Sequence, residues 1–160
     1  IPGVRYGELY TSHNNIIRKF NSHISSIVAL SSKRIKRGDI LFAGSGETKE
    51  EIGKCAAFTS HEVAYAGGDI VILSPNKGDS TFLSYLFNSP IIIRQKVSKA
   101  QGDAVVHISA SALSTIKVLF PPEDEQKVIA EVLSDIDDLI TAQEELIAKK
   151  RDIKQATMQQ

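Results

Sequence analysis

The chain has 160 residues, 42% of them hydrophobic, and its 19 Lys and Arg balance 19 Asp and Glu. This composition is enough for a packed core and excludes disorder over most of the chain. The single cysteine, Cys55, excludes an internal disulfide, and no window approaches the roughly 18 apolar residues of a membrane span, so we expect a soluble, cytoplasmic protein.

The balanced total charge conceals a division between two parts of the chain. Residues 1–121 carry 14 Lys and Arg against 9 Asp and Glu, a net charge of +5, whereas residues 122–160 carry 5 against 10, a net charge of −5. A basic globular part suits a polyanion such as DNA, although many proteins that bind no nucleic acid carry a similar charge. We therefore expect two domains, residues 1–121 and residues 122–160, with different partners.

The first 120 residues have the pattern of a mixed α and β domain with short elements. The chain opens on Ile1-Pro2-Gly3 without an initiator methionine or a signal-peptide pattern, and we expect a fragment of a longer chain. Turn residues at 36–39 precede the apolar run Ile40–Ala43, and Gly67-Gly68-Asp69 precede Ile70–Leu73 in the same way. Both apolar runs are predicted strands.

A short buried helix is predicted over residues 80–88. Its apolar side chains recur at helical spacing behind Asp79 or Ser80, either of which is a suitable N-cap. Residues 105–108 and 116–120 are further strand candidates. The fold class we expect is α+β, a mixed domain of short strands and helices followed by one long C-terminal coiled-coil helix.

The long helix is predicted from residues 123–160, which contain neither Gly nor Pro and follow Pro121-Pro122. At 1.5 Å per residue it would extend about 55 Å, longer than a small domain is wide. Several apolar residues recur in steps of seven, so the helix needs a partner. The residues predicted for dimerisation or helix packing are Ile129, Val132, Leu133, Ile136, Leu139, Ile140, Leu146, Ile147 and Ile153. Gln143 and Lys150 lie on the same stripe, where polar residues can specify register.

The sequence gives no support for an active site. The glycine-rich segment 44–48 lacks the spacing of a phosphate loop, because Thr48 and Cys55 stand where Gly and Ser or Thr are needed. The residue four after His61 is Tyr65, which excludes a zinc-protease helix. We predict a tight polar turn at 44–48, no catalytic residue and no metal site.

Candidate nucleic-acid contacts form two clusters. The first consists of Arg5, Tyr6, Tyr10, Thr11, His13 and Asn14, whose side chains could stack on bases or reach base edges. The second consists of Arg94, Lys96, Lys99 and Gln101. The basic residues Lys33, Arg34, Lys36 and Arg37 could equally be phosphate contacts or solvated turns.

Several segments, taken in order, form a recognisable pattern. They are residues 5–11 (RYGELYT), 36–42, 44–48 with 51–54, and 65–69, followed by 100–109, Pro121-Pro122 with Glu125-Gln126, and 135–137 leading to 149–151. This order closely resembles the target-recognition domain of type I restriction-modification specificity subunits and its passage into the conserved helical region.

The resemblance implies a DNA-recognition subunit without catalytic activity, which directs adenine methylation and DNA cleavage by its partners. The implied partners are double-stranded DNA, modification (methyltransferase) subunits and a restriction subunit. S-adenosylmethionine, ATP and Mg would then be bound by those subunits and no cofactor by this chain. Ser45, Thr48 and Lys49 of the glycine-rich segment join the implied DNA contacts, together with Lys96, Lys99 and Gln101.

A full specificity subunit has two recognition domains and two helical regions, whereas this chain has one of each. The resemblance therefore implies a half-subunit that forms a homodimer through its long helix and reads a bipartite inverted repeat. The helix would span about 16 base pairs at 3.4 Å per pair. The alternatives are a stand-alone or decoy DNA-binding module, and a coiled-coil protein-interaction or assembly protein.

Overall fold

The computed structural model describes residues 1–102 and 104–158. Within them the fold is α+β with short elements and one long helix, as the sequence predicts. The strands are β1 (Pro2–Val4), β2 (Ile16–Ile17), β3 (Ser22–His23), β4 (Lys33–Ile35), β5 (Ile40–Ala43), β6 (Ser45–Gly46), β7 (Cys55–Phe58), β8 (Ala64–Ala66), β9 (Ile70–Leu73) and β10 (Val106–His107). The helices are α1 (Glu8–Thr11), α2 (Ser26–Ser31), α3 (Ser80–Phe87), α4 (Pro90–Val97), α5 (Ala110–Leu113) and α6 (Glu123–Met158).

Two sequence predictions extend past the described residues. Asp103 belongs to the family-like segment 100–109, and Gln159 and Gln160 were predicted to end the long helix; all three lie outside the described residues.

The strands form two four-stranded sheets and a two-stranded ribbon. The first sheet has the order β3-β1-β8-β4, and the second has the order β2-β7-β5-β9. In each sheet one pair of strands is parallel, β1 with β8 and β2 with β7, and the other pairs are antiparallel. The ribbon pairs β10 with β6.

The central strand β5 is buried on both faces, which explains why its sequence is a continuous apolar run. Leu41 and Ala43 belong to a core that also contains Val4 and Ile35 of the first sheet. Ile40 and Phe42 alternate with them and belong to a second core with the helices α3 and α4. The second sheet is therefore the middle layer of the domain, between the first sheet and the helices.

The predicted helix at residues 80–88 is confirmed. It is α3, and the Asp79 carboxylate caps it by accepting a hydrogen bond of 2.8 Å from the Phe82 N–H. Phe82, Leu83 and Phe87 lie in the second core. The predicted strands at Ile40–Ala43, Ile70–Leu73 and residues 105–108 are also confirmed as β5, β9 and β10.

The strand predicted at residues 116–120 is wrong. Ile116 and Val118 are partly buried against the second core, which accounts for the alternating pattern, but residues 116–120 form no strand and pair with none of the described strands. The Gln95 side chain takes the place of a neighbouring strand: its Nε2 donates to the Lys117 carbonyl and its Oε1 accepts from the Lys117 N–H, both at 2.9 Å. A side-chain amide can satisfy a backbone peptide without forming a sheet.

The segment predicted as a tight polar turn at residues 44–48 is partly strand. Ser45 and Gly46 form β6, which pairs with β10, and the Gly44 N–H donates to the Asp69 carbonyl at 2.6 Å. Because β10 is about 60 residues away in the chain, local turn chemistry could not indicate this pairing.

The helix α6 has 36 residues and is about 54 Å long. Its first part packs on the domain, where Gln126 and Ala130 are buried and Ala130 joins the second core. Every residue from 138 to 158 is exposed. These residues extend about 31 Å past Asp137. No described helix is long and apolar enough to cross a membrane.

Candidate functional site

A cleft of about 460 Å³ lies where α1 faces β6, and we call it the α1–β6 cleft. The Tyr10 hydroxyl joins α1 to β6 by donating to the Ser45 carbonyl at 3.0 Å. The residues lining the cleft are Tyr6, Gly7, Tyr10, Thr11, Gly46, Glu47, Glu51, Ala104 and Val105. The structure thus brings Tyr6, Tyr10 and Thr11 of the first predicted cluster together with the glycine-rich segment.

The position of α1 is fixed by Glu8 in its first turn, where an acidic residue also suits the helix dipole. The Glu8 carboxylate accepts from the Arg5 N–H at 3.0 Å and from the Ser22 hydroxyl at 2.5 Å. The second bond ties α1 to the edge strand β3. Arg5 and Tyr6 therefore project from a fixed turn, and both side chains are exposed.

The cleft requires glycine at position 46. A Cβ atom there would lie 2.7 Å from the Tyr10 hydroxyl and 3.3 Å from its ring carbon. A contact this short would displace the tyrosine and break its bond to Ser45. Gly46 therefore permits the close approach of α1 to β6.

The charged residues that line the cleft are acidic. Glu47 and Glu51 are both exposed there. Burial raises the pKa of Tyr10 to about 12, with smaller electrostatic contributions from Glu51 and Tyr6. Its hydroxyl therefore stays protonated and remains a donor at neutral pH. That proton is donated to Ser45, so the cleft offers chiefly carboxylate acceptors, which suit the amino groups of base edges better than phosphate.

Basic side chains lie outside this cleft. Lys33 and Arg34 are exposed on β4, an edge strand of the first sheet, and Lys36 and Arg37 are exposed in the following turn. We call these four residues the basic edge. Their positive charge has the sign that a phosphate backbone requires.

The residues predicted to contact DNA differ in their exposure. Arg5, Tyr6, Thr11, Asn14, Thr48, Lys49 and Gln101 are exposed, Tyr10 and Lys99 are half-buried, and His13, Ser45 and Lys96 are buried. The buried three cannot touch a ligand in this conformation. They are accordingly not among the contacts we propose below.

Lys96 supports the loop beside the cleft from within the fold. Its side chain is only 1% exposed, and its ammonium donates to the Gly53 carbonyl at 2.7 Å. Burial lowers the pKa of Lys96. The sequence held a signal for this position, because Lys96 follows the buried Ile92 by four residues and so shares its helix face.

Ser45 is an internal hydrogen-bonding residue of the ribbon. It is 3% exposed, and its hydroxyl bonds to His107 Nδ1 at 2.8 Å. This contact joins β6 to β10 beyond their backbone pairing. Ser45 therefore shapes the cleft from behind and does not line it.

His13 is also buried, at 2% exposure, and among the described residues its Nε2 has no hydrogen-bond partner. Glu8 Oε2 lies 3.8 Å from that nitrogen. Burial lowers the pKa of His13 below its ordinary 6.5; the Glu8 charge opposes this shift and the Lys19 charge adds to it. The imidazole is therefore neutral at neutral pH in the folded protein.

We expect a stability loss below pH 6.5 that depends on His13. With a lowered folded pKa, the unfolded chain binds more protons below pH 6.5, so the free energy of unfolding falls as the pH decreases through that region. His13→Gln should flatten this dependence between about pH 7.5 and 5. Urea unfolding at several pH values measures the pH dependence of the free energy of unfolding. The control is His61→Gln, a substitution of an exposed histidine. Equal slopes for wild type and His13→Gln would contradict the expectation.

Sequence reasoning favoured the loop that contains Glu47 but did not single out its carboxylate, and it did not propose Glu51 as a contact. It also did not identify Asp137 as a contact between α6 and the domain. Within residues 1–102 and 104–158 there is no group of three or more His, Cys, Asp or Glu side chains that could bind a metal ion.

Comparisons with known proteins give one consistent result. The family model described as "Type I restriction modification DNA specificity domain" matches residues 4–150. Over 113 residues the chain is 34% identical to a protein of Methanocaldococcus jannaschii named as a type I restriction enzyme specificity subunit, MjaX. That alignment covers 67% of this chain and 26% of the relative, so the chain spans about a quarter of the length of the relative.

Proposed function

Because the chain belongs to the family of type I restriction-modification DNA specificity domains, we propose that it selects the DNA sequence on which a methyltransferase complex acts. The observation that carries this proposal is the extent of the family match. It runs from β1 through the cleft and into the projecting part of α6, and so includes both the recognition domain and the helix.

The proposed DNA contacts divide by chemistry. Tyr6, Thr11 and Glu47 of the α1–β6 cleft, with Arg5, which precedes Tyr6 in the chain, would face base edges, since carboxylates accept hydrogen bonds from the amino groups of bases and arginine donates to guanine. The basic edge would contact phosphates, which position the protein without reading sequence. The remaining candidates from the sequence are the exposed Asn14, Thr48, Lys49 and Gln101 and the half-buried Lys99.

The second part of the proposal concerns the apolar stripe of α6. Ile129 and Leu133 are half-buried. Ile129 packs on the second core of its own domain. The other predicted stripe residues are exposed, and the exposed Val128 lies on the same face. The exposed stripe therefore consists of Val128, Val132, Ile136, Leu139, Ile140, Leu146, Ile147 and Ile153. So many exposed aliphatic side chains on one helix face favour pairing with a second helix.

We propose that this second helix belongs to another copy of the chain, paired antiparallel. The two recognition domains would then lie at opposite ends of the helix pair and read an inverted repeat with an unread spacer. In this arrangement the outer, acidic face of α6 is directed away from DNA. Modification subunits carrying S-adenosylmethionine, and a restriction subunit using ATP and Mg, would supply the chemistry.

Methylation mapping tests the proposed function. We expect that co-expression of this chain with its modification subunit will methylate adenines within a bipartite, symmetric sequence, because two identical domains related by a twofold axis read identical half-sites. Sequencing of modified adenines in the host genome measures the result, and the modification subunit alone is the control.

If the methylated sequence is asymmetric, the homodimer is rejected but the role in DNA recognition stands. Unmodified DNA would reject the role itself. The exposed stripe alone also fits a coiled-coil assembly protein, and salt-dependent binding to duplex DNA separates the two, since phosphate contacts make affinity fall steeply with salt.

A further inference from the structure

The point at which α6 leaves the recognition domain is marked by Asp137. Its side chain is half-buried, whereas every residue from 138 to 158 is exposed. The buried apolar contact nearest to it along the helix is Ala130, two turns earlier. Asp137 is therefore the last residue of the helix that the domain partly buries, and we call residues 138–158 the free portion.

Two parts of the domain hold Asp137 at one oxygen. Its Oδ2 accepts a hydrogen bond of 2.7 Å from the Tyr85 hydroxyl on α3 and one of 3.2 Å from Asn15 Nδ2 in the loop before β2. Burial first, and then the hydrogen bond to Asp137, raise the pKa of Tyr85, so its hydroxyl remains a donor. Hydrogen bonds to a charged acceptor are stronger than neutral ones.

The two donors are themselves fixed to the core. Asn15 Oδ1 accepts from Asn88 Nδ2 at 2.9 Å, and the same amide donates to the Cys55 carbonyl of β7 at 2.8 Å. The Asn15 carbonyl also accepts from the Ser84 hydroxyl of α3. Asp137 is thus connected through short polar contacts to the middle sheet of the domain.

Close packing does not fix the helix at this position. Two open grooves of about 400 and 480 Å³ both include Asp137 in their lining. On the next residue, Asp138 Oδ1 lies 2.9 Å from the Arg18 guanidinium, which also donates to Ser134. Both charges of that pair are largely exposed, so the pair contributes little.

Small rotations at this point have large consequences at the far end of the helix. The free portion extends about 31 Å, so a tilt of about 6° moves its end by about 3.4 Å, the rise of one base pair. We propose that Asp137 is a positioning residue that sets the angle between the recognition domain and the projecting helix, and thereby the spacer length that the dimer accepts. The role of Asp137 in spacer length rests on the proposed function, whereas its role in setting the helix angle does not.

The first test measures spacer preference. Full-length dimers are titrated by fluorescence anisotropy with duplexes that carry the two mapped half-sites at the preferred spacing or at spacings one and two base pairs longer or shorter. We expect the preference of Asp137→Ala for one spacing to fall by about tenfold, a loss typical of a hydrogen bond to a charged group. Affinity for a duplex with a single half-site should not change, since Asp137 lies outside the α1–β6 cleft.

Two variants control this experiment. Asp135→Ala removes the same side chain from an exposed position of the same helix and should keep the wild-type preference. Tyr85→Phe removes only the shorter hydrogen bond, should also reduce the preference, and replaces Asp137→Ala if that variant does not fold. A wild-type preference retained by both Asp137→Ala and Tyr85→Phe would overturn the spacer role.

The second test needs no DNA. Spin labels at Lys77→Cys in the domain and Lys149→Cys on the helix report their separation by double electron–electron resonance, in dimers diluted with unlabelled chain. Cys55 is buried, and burial raises its pKa to about 12, so it does not compete for the label. A broadened distance distribution in Asp137→Ala is expected; an unchanged one overturns the proposal. If wild type shows no spacer preference but Asp137→Ala broadens the distribution, the proposed function fails and the angle role stands.

Discussion

Replacing Leu139 and Leu146 with glutamate is expected to convert the proposed dimer into monomers. Both side chains are exposed in the single chain, at 67% and 46%, and both lie on the apolar stripe of α6. Complete burial of one leucine contributes roughly 1.5–3 kcal/mol, and each substitution is present in both chains. Association should therefore weaken by at least about a thousandfold. Sedimentation equilibrium across a concentration series measures the change.

The matched control places the same charges on another face of the helix. Ala148→Glu with Gln155→Glu also introduces two glutamates seven residues apart, at exposed positions roughly opposite the stripe. This variant should remain dimeric. Persistence of the dimer in Leu139→Glu with Leu146→Glu would remove the stripe from the interface, and with it the arrangement of two domains at the ends of paired helices.

Loss of the stripe should also change DNA binding in a specific way. A monomer retains the α1–β6 cleft, so its affinity for a single half-site should be unchanged. Its affinity for the bipartite site should fall to about that of the single half-site, because the gain from tethering two domains is lost. Comparing the two duplexes separates this outcome from misfolding, which would weaken binding to both.

Replacing Arg5 and Tyr6 with alanine is expected to produce the largest loss of DNA affinity. Both side chains are exposed, and Tyr6 lines the cleft. Glu8 fixes their turn by accepting a hydrogen bond from the Arg5 N–H. Stacking of a base on an aromatic ring is worth roughly 1–3 kcal/mol, and an arginine contact to a base edge is worth about as much. Each substitution should therefore weaken half-site binding by about 10- to 100-fold.

Salt titration and single-base substitutions identify the kind of contact. If Arg5 reads a base, Arg5→Ala relaxes specificity at one position of the half-site. If Arg5 binds phosphate, the substitution reduces the slope of log affinity against log salt concentration by about one. Lys77→Ala removes a positive charge from an exposed turn of the same domain and is the control. Unchanged binding in both Arg5→Ala and Tyr6→Ala would place the DNA interface elsewhere on the domain.

The cleft itself could be predicted only in part. Tyr6, Tyr10 and the glycine-rich segment were identified from residue type, and the structure brings them together in one cleft. Glu47 and Glu51 were not identified, since exposed carboxylates in a loop resemble ordinary solvated residues. Their position opposite Tyr6 depends on the pairing of β6 with β10, which joins residues distant in sequence.

The sequence by itself determined the features that repeat locally. The apolar run of β5, the capped helix α3 and the heptad stripe of α6 each follow from the spacing of apolar residues within one element. The order of short motifs likewise predicted the family, which the match over residues 4–150 confirms.

The tertiary structure alone decided the roles of individual polar residues. Lys96 binds a carbonyl 43 residues away, Ser45 bonds to a histidine 62 residues away, and Asp137 accepts from a tyrosine 52 residues away. A lysine, a serine or an aspartate has the same local sequence signal whether it is solvated or buried. Its partner is brought to it by the packing of distant elements, and burial together with that partner decides whether it binds a ligand or supports the fold.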